Sequence, residues 1–285
     1  MNKGIVIRQV GGKFTIKTAN EKIVLNARGK LRDNGLYVGD EVCFENGAVS
    51  TILPRKNKLI RPCIANVDTI VVVVAEKPET DFVLIDKLIM YADKNNIEVI
   101  ICVNKSDISE NLYKQIVLEY SDVVSSIVKT SAVNNDVNEL LPLLTDKISV
   151  FAGQSAVGKS TLLNAILKKN IAKVGELSKI EKGKNTTRET TIYEIDDKSF
   201  IADTPGFSCL ELINFTPEEV SSGYTEFFQL SKNCRYRQCD HIFVDRCDCA
   251  VLRELDKNKD LNYRYERYKN LFIESRDKWR NKYGK

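Results

Sequence analysis

Residues 153–160, GQSAVGKS, match the pattern G-x-x-x-x-G-K-[ST], and no other stretch constrains the fold of this chain as tightly. A strand-like segment at 149–152 precedes it, and a helix-forming segment at 159–167 follows. The pattern needs that context. Its glycines let backbone N–H groups approach and cradle a phosphate, and the following helix turns its positive end toward the same place. Lys159 is placed to reach β- and γ-phosphate oxygens, and the Ser160 hydroxyl to hold Mg²⁺. Gln154, Ser155, Ala156, Val157 and Thr161 complete the expected binding loop with Gly153 and Gly158. A chain with this loop is expected to be α/β, its ligand lying at the carboxyl ends of parallel strands.

The flanking sequence agrees. From residue 67 strands and helices alternate: strand 67–75, helix 81–95, strand 98–103, helix 112–120, strand 127–130 and strand 199–202. In the first helix Phe82, Leu84, Ile85, Leu88 and Ile89 fall at helical spacing. Before this region lie short β-rich segments at 4–10, 13–17, 22–25 and 41–44, with Gly11-Gly12, Asn34-Gly35 and Asn46-Gly47 as turns. A five-stranded OB-type barrel fits that spacing, as does an SH3-like or other hairpin-rich β-domain. Residues 54–62 read as a basic, proline-bounded linker. Beyond about residue 213 the chain reads as helical, interrupted by a Cys/His cluster. Three units are expected: an OB-type barrel over 1–62, a P-loop domain over 63–213 and a helical metal-binding domain over 214–285.

Two further motifs select guanine. Asn104, Lys105, Ser106 and Asp107 follow the strand 98–103 and spell N-K-x-D. The aspartate can accept from guanine N1–H and its exocyclic amine. Adenine offers neither donor, so the carboxylate would be left buried and unpaired, a mismatch of roughly 1–3 kcal/mol or more. Asn104 would tie this loop to the phosphate loop while the Lys105 stem covers the base. Ser131 and Ala132, after the strand 127–130, fit the loop whose backbone amide meets guanine O6.

Asp203, Thr204, Pro205 and Gly206 follow the strand 199–202; the aspartate is placed to hold Mg²⁺ through water and the Gly206 amide to meet a γ-phosphate. The polar stretch 182–189 holds Asn185, Thr186 and Thr187, and either threonine hydroxyl suits the metal, with Thr187 favoured. Phe207 stands where many GTPases place a glutamine that orients water, so slow intrinsic hydrolysis is expected. Along the chain the order is base loop, phosphate loop, switches. Ordinary GTPases begin with the phosphate loop, so this is a circular permutation.

Eight cysteines divide into two groups. Cys43, Cys63, Cys102 and Cys209 lie singly among apolar residues and read as small buried thiols. Cys234, Cys239, Cys247 and Cys249 surround His241, the only histidine, within sixteen residues. Five candidates for four tetrahedral positions point to one zinc ion rather than disulfides. Cys234, Cys239 and His241 are the firm ligands, and Cys247 or Cys249 the fourth. The terminal segment 262–283 interleaves Arg264, Arg267, Lys269, Arg276, Lys278, Arg280 and Lys282 with Tyr263, Tyr265, Tyr268, Phe272, Trp279 and Tyr283. It suits either RNA contact or packing of an amphipathic helix on the metal module. Net charge is only +4. The longest apolar run falls short of a membrane span and the N-terminus lacks a signal-peptide pattern, so a cytosolic protein is expected.

With its motifs in this order and this cluster, the chain resembles the RsgA (YjeQ/YloQ-type) family of circularly permuted GTPases. The resemblance runs over nearly the whole length. It includes residues 27–30 (ARGK), Val38-Gly39-Asp40, Arg61-Pro62, residues 65–68 (ANVD), Cys249-Ala250-Val251 and Arg264-Tyr265. It implies an OB domain, a permuted GTPase domain and a zinc domain. A monomer with no membrane partner is expected. The resemblance also implies weak GTP hydrolysis to GDP stimulated by the small ribosomal subunit, and a role late in that subunit's maturation with rRNA as partner. Three departures stand out. Ala156 replaces a frequent glycine, and the loop should tolerate the methyl. Asn185 replaces a histidine proposed to help hydrolysis; it can orient water but not take its proton. Family spacing from the histidine selects Cys247 as fourth ligand, while the Ala-Val that follows selects Cys249; ligand spacing favours Cys247.

Overall fold

The computed structural model describes residues 2–27, 31, 35–60, 63–108, 110–174, 191–203 and 215–283, with only the backbone of 169–174, 203, 282 and 283. Its first five strands are β1 (Asn2–Val10), β2 (Lys13–Lys17), β3 (Lys22–Ala27), β4 (Glu41–Glu45) and β5 (Ala48–Ile52). They pair in the order β1-β2-β3-β5-β4, and β4 returns to β1, so the ring closes into a barrel without free edges. Inward alternation places Val6, Phe14, Ile16, Val42, Phe44 and Val49 in its core. β5 is the strand that the β-rich segments do not include, although the Asn46-Gly47 turn leads into it. A bulge between Val6 and Arg8 shifts the β1–β2 register. Val6 points into the barrel core, whereas Ile7 joins the core of the next domain.

The linker expected at 54–62 is partly a hairpin. β6 (Lys58–Leu59) pairs with β7 (Ile64–Ala65), driven by complete burial of Leu59 and Ile64. Two asparagines clamp it. Asn57 Nδ2 donates to Val67 O (2.7 Å) while its Oδ1 accepts from Val67 N (3.0 Å). Asn66, in left-handed conformation at φ 57°, donates from Nδ2 to Gly39 O of the barrel and accepts at Oδ1 from Lys56 N, both at 2.9 Å.

The nucleotide-domain strands are β8 (Thr69–Val74), β9 (Glu98–Val103), β10 (Ser126–Lys129), β11 (Ile148–Ala152), β12 (Thr191–Glu194) and β13 (Phe200–Asp203), in the order β10-β9-β8-β11-β13-β12. All neighbours are parallel except β12 and β13. All six residues of β8 are buried, because both faces are covered. Ile70, Val72 and Val74 pack toward α1 (Phe82–Lys94) and α2 (Asn111–Tyr120); Val71 and Val73 pack toward α3 (Lys159–Val174) and the short turn Leu141–Leu144. β12 also meets β1, Thr191 opposite Arg8, so the barrel continues the sheet. β9 and β10 follow β8 outward on one side, while β11 begins the other side, with β13 beside it and β12 outside β13. The β8–β11 boundary is therefore the topological switch point, where open α/β sheets bind ligands.

The C-terminal module comprises α4 (Pro217–Gly223), α5 (Thr225–Ser231), α6 (Ala250–Lys257) and α7 (Leu261–Tyr283). Thr216 and Glu219 form a reciprocal capping box that starts α4. Tyr224, Phe227, Tyr265, Tyr268 and Phe272 make an aromatic core that Met90 of α1 joins. Among the described residues no helix is long and apolar enough to cross a membrane.

Candidate nucleotide site and metal centre

Three loops distant in sequence meet at the carboxyl ends of β9, β10 and β11. Asn104, only 3% exposed, is their hub. Its Nδ2 donates to Val157 O of the phosphate loop (2.9 Å), and its Oδ1 accepts from Ala132 N (3.1 Å) and Thr130 Oγ1 (3.3 Å). Lys105, at φ 61°, donates from Nζ to Ala156 O (2.9 Å) and to Lys77 O (2.7 Å) after β8. Ser106 Oγ donates to Thr130 O at 3.0 Å. Ser131 Oγ donates to Asp107 Oδ1 at 2.6 Å, fixing the carboxylate that would face a base. The loop 104–107 and the loop 153–158 thus meet at one sheet edge. Thr130 and Lys77 are members that no motif advertises; their only sequence signal is position at a strand end.

The phosphate loop has the backbone its glycines permit. Gly153 has φ 128°, and a Cβ there would stand 2.2 Å from Val73 O; one at Gly158 (φ 101°) would stand 2.4 Å from Asn104 Nδ2. Ala156 sits at φ 64°, so its methyl is accommodated at a left-handed position that costs an L-residue roughly 1–2 kcal/mol. Lys159 Nζ donates to Gly153 O (2.8 Å) and Gln154 O (2.6 Å), across the loop's own carbonyls. Ser160 and Thr161 occupy the exposed first turn of α3. Gln154 does something its place in the motif does not indicate: its Oε1 accepts from Asp81 N, at the start of α1. Asp203 ends β13, one strand from β11. Asn185, Thr186, Thr187, Gly206, Phe207 and Cys209 lie outside the described residues.

Cys234, Cys239, His241 and Cys249 bring their donor atoms within 4.8 Å of one another. Cys249 Sγ is 3.4 Å and Cys234 Sγ 3.8 Å from His241 Nδ1, and the two sulfurs are 4.0 Å apart. Ligand bonds of about 2.3 Å in a tetrahedron give edges of about 3.8 Å, so the set fits a small tetrahedral cation. Cys247 is corrected as fourth ligand. It is exposed at the 3-10 turn Arg246–Asp248, whereas Cys249, fully buried, is turned inward as the N-cap of α6. There its Sγ accepts from Leu252 N (3.4 Å), while Cys234 Sγ accepts from Ala250 N (3.3 Å). α7 supports the ligand loop: Tyr265 OH donates to His241 O (2.7 Å) and Tyr268 OH to Asp240 O (2.9 Å). Among the singly placed cysteines, Cys43 and Cys102 are buried as expected. Cys63 is exposed, because it lies in the bend between β6 and β7.

The terminal helix is largely committed to packing. Arg264 is 2% exposed, and Tyr265, Tyr268 and Phe272 are buried, which removes them as RNA contacts. The partner of Arg264 and Arg267 is Asp86 of α1, a carboxylate fully out of water. It accepts from Arg264 Nη1 (2.7 Å), Arg267 Nε (2.6 Å), Tyr120 OH (2.9 Å) and Tyr224 OH (2.8 Å). Glu226 and Glu119 complete the ion pairs of Arg264 and Arg267. Burial, then the Asp86 charge, holds the Tyr120 and Tyr224 phenols well above their ordinary range, so they stay protonated donors. Tyr263 and Trp279 remain exposed on α7, and Arg276 covers the exposed Phe243 ring at 4.6 Å.

Comparison with known proteins agrees with this architecture. The family described as RsgA GTPase matches residues 52–213. The small ribosomal subunit biogenesis GTPase RsgA of Caldanaerobacter subterraneus subsp. tengcongensis is 39% identical over 99% of this chain and 98% of its own length. The protein of that name from Ruminiclostridium cellulolyticum is 37% identical over 97% and 95%. Among solved structures, YjeQ from Thermotoga maritima superposes with a TM-score of 0.82 at 32% identity, covering 96% of this chain and 98% of that one. YloQ, described as a circularly permuted GTPase, does so at 0.78 and 30%, covering 98% and 96%. From the phosphate loop to the Cys/His cluster, this chain belongs to the RsgA GTPase family.

Proposed function

We propose that this chain hydrolyses GTP to GDP and phosphate in association with the small ribosomal subunit and assists its late maturation, acting in the cytoplasm as a monomer. The observation that carries the nucleotide reading is the pair of bonds from Asn104 to Val157 and from Lys105 to Ala156, which join a guanine reader to a phosphate cradle. Asp107, oriented by Ser131, accepts from the base, and the Ala132 amide meets its O6. The loop amides of 153–158 and Lys159 hold the phosphates. Ser160 and Thr187 are assigned to Mg²⁺, with Asp203 behind it through water and the Gly206 amide on the γ-phosphate. Mg²⁺ would neutralise developing charge. Catalysis is by positioning and electrostatics, with Asn185 orienting water rather than deprotonating it. With Asn185 in place of a base and Phe207 unable to orient water, slow turnover alone is expected, raised by the subunit. Zinc is the ion assigned to Cys234, Cys239, His241 and Cys249, given three soft thiolates and one imidazole.

In this reading residues 1–62 and 214–285 bind rRNA on either side of the GTPase unit 63–213. Turnover measured with and without small subunits tests it. Stimulation by small but not large subunits is expected; no stimulation would leave an RNA-binding protein in which GTP is only a structural ligand. Asp107→Asn tests the base reading. It should weaken GTP and favour xanthine nucleotides, and an unchanged preference would contradict guanine recognition.

A further inference from the structure

Gln154 holds two things at once. Its side-chain Oε1 accepts from the backbone N–H of Asp81 at 3.0 Å, and Asp81 is the N-cap of α1, its own carboxylate accepting from Leu84 N. Its carbonyl accepts from Lys159 Nζ at 2.6 Å, the ammonium that a phosphate would claim. One residue thus spans the loop's cation and the start of a helix. Farther along that helix Asp86 accepts four donors, from α2, from Tyr224 after α4 and from α7. Met90, one turn on, packs so closely under Gly223 that a Cβ there would stand 2.4 Å from Met90 Cγ. A close-packed joint around a fully engaged buried carboxylate does not yield gradually, so movement of α1 carries α4 and α7 with it.

We propose that Gln154 is a positioning residue that clamps the phosphate loop to α1, so that occupancy of the loop is transmitted through α1 and Asp86 to the metal-binding module. The proposal rests on the nucleotide reading above. Phosphate oxygens compete with the Gln154 carbonyl for the Lys159 ammonium, which donates to that carbonyl and to Gly153 O. Binding therefore changes the contacts of the same residue whose amide holds Asp81. That difference between two states is what coupling requires.

Hydrogen exchange on the full, metal-loaded chain tests it, with and without a saturating non-hydrolysable GTP analogue. The proteins compared are wild type, Gln154→Leu, Gln154→Ala and Gln154→Glu, with analogue affinity measured for each. Leu keeps the bulk and removes the acceptor; Glu restores an oxygen at the same reach. Expected is a nucleotide-dependent slowing of exchange in 261–283 of about fivefold or more in wild type, the lower end of ordinary coupling. It should vanish at saturation in the Leu and Ala variants and return in the Glu variant. A response that survives in both acceptor-free variants, or is missing from nucleotide-bound wild type, overturns the proposal. Failure of wild type to bind the analogue overturns the nucleotide reading itself, and the clamp with it.

Discussion

At the scale of single residues, the metal centre separates two cysteines that sequence spacing cannot. Cys247 and Cys249 are two apart, and either satisfies a ligand count. What decides between them is that α6 begins at residue 250, which turns the Cys249 sulfur inward to cap it and leaves Cys247 in solvent. Cys247→Ser should therefore retain the metal, and Cys249→Ser should lose it together with helical content in the C-terminal module. Metal analysis of the purified variants with circular dichroism checks this, and metal lost equally from both would contradict the assignment. The nucleotide motifs were readable because their chemistry demands fixed residue types at short spacing. Ala156 was readable as a departure but not as a strained one, since φ is not written in the residue. At φ 64° it should accept glycine with a gain of roughly 0.5–1 kcal/mol, the relieved strain being partly offset by the greater unfolded-state entropy of glycine. A loss of thermal stability in Ala156→Gly would mean the methyl makes a contact worth more than the strain.

At the scale of elements, the terminal helix shows what a pattern of residue types leaves open. Arg264, Tyr265, Arg267 and Tyr268 look the same whether they meet rRNA phosphates and bases or a neighbouring helix. The deciding residue, Asp86, lies 178 positions from Arg264, in a helix whose apolar face it interrupts. A carboxylate inside an apolar stripe was the available signal, and its partners could be found only in three dimensions. Asp86→Ala should destabilise the protein by about 3–5 kcal/mol, because it removes the carboxylate shared by the buried Arg264 and the partly buried Arg267 and leaves each with a single acidic partner. Denaturant unfolding measures it, and a change below about 1 kcal/mol would show the joint to be solvated. The same cluster sets an alkaline limit. The Tyr120 and Tyr224 phenols are raised in the folded state, so their contribution is complete below the unfolded tyrosine value of about 10 and is lost as pH climbs through the higher folded values. Stability should accordingly fall from about pH 10 upward, and Tyr120→Phe with Tyr224→Phe should flatten that fall while lowering stability at neutral pH.

At the scale of the whole molecule, a barrel read from turns and a sheet read from alternation turn out to be continuous, through the β12–β1 bridge of Thr191 and Arg8. A single bridge is a weak joint, and the firmer one is the clamp between β5 and β8. Arg55 binds the fully buried Asp40 through Nε and Nη2 (2.6 and 2.7 Å), Lys56 meets Asp68, and Asn66 joins Gly39 of the barrel to Lys56 of the linker. Asn66 is the critical member because it supplies a donor and an acceptor from a left-handed backbone that few other residues adopt cheaply. Asn66→Ala leaves two backbone partners unpaired and keeps the strain; Asn66→Gly loses the same bonds but removes the strain. The alanine variant should therefore be the less stable by roughly 0.5–1 kcal/mol, the strain being partly offset by glycine's greater unfolded-state entropy. If the clamp makes barrel and nucleotide domain unfold together, calorimetry should give one transition for these parts in the native chain and two in either variant. A single transition in both would assign the cooperativity to the β12–β1 bridge and to Ile7, whose side chain reaches from the barrel strand into the neighbouring core.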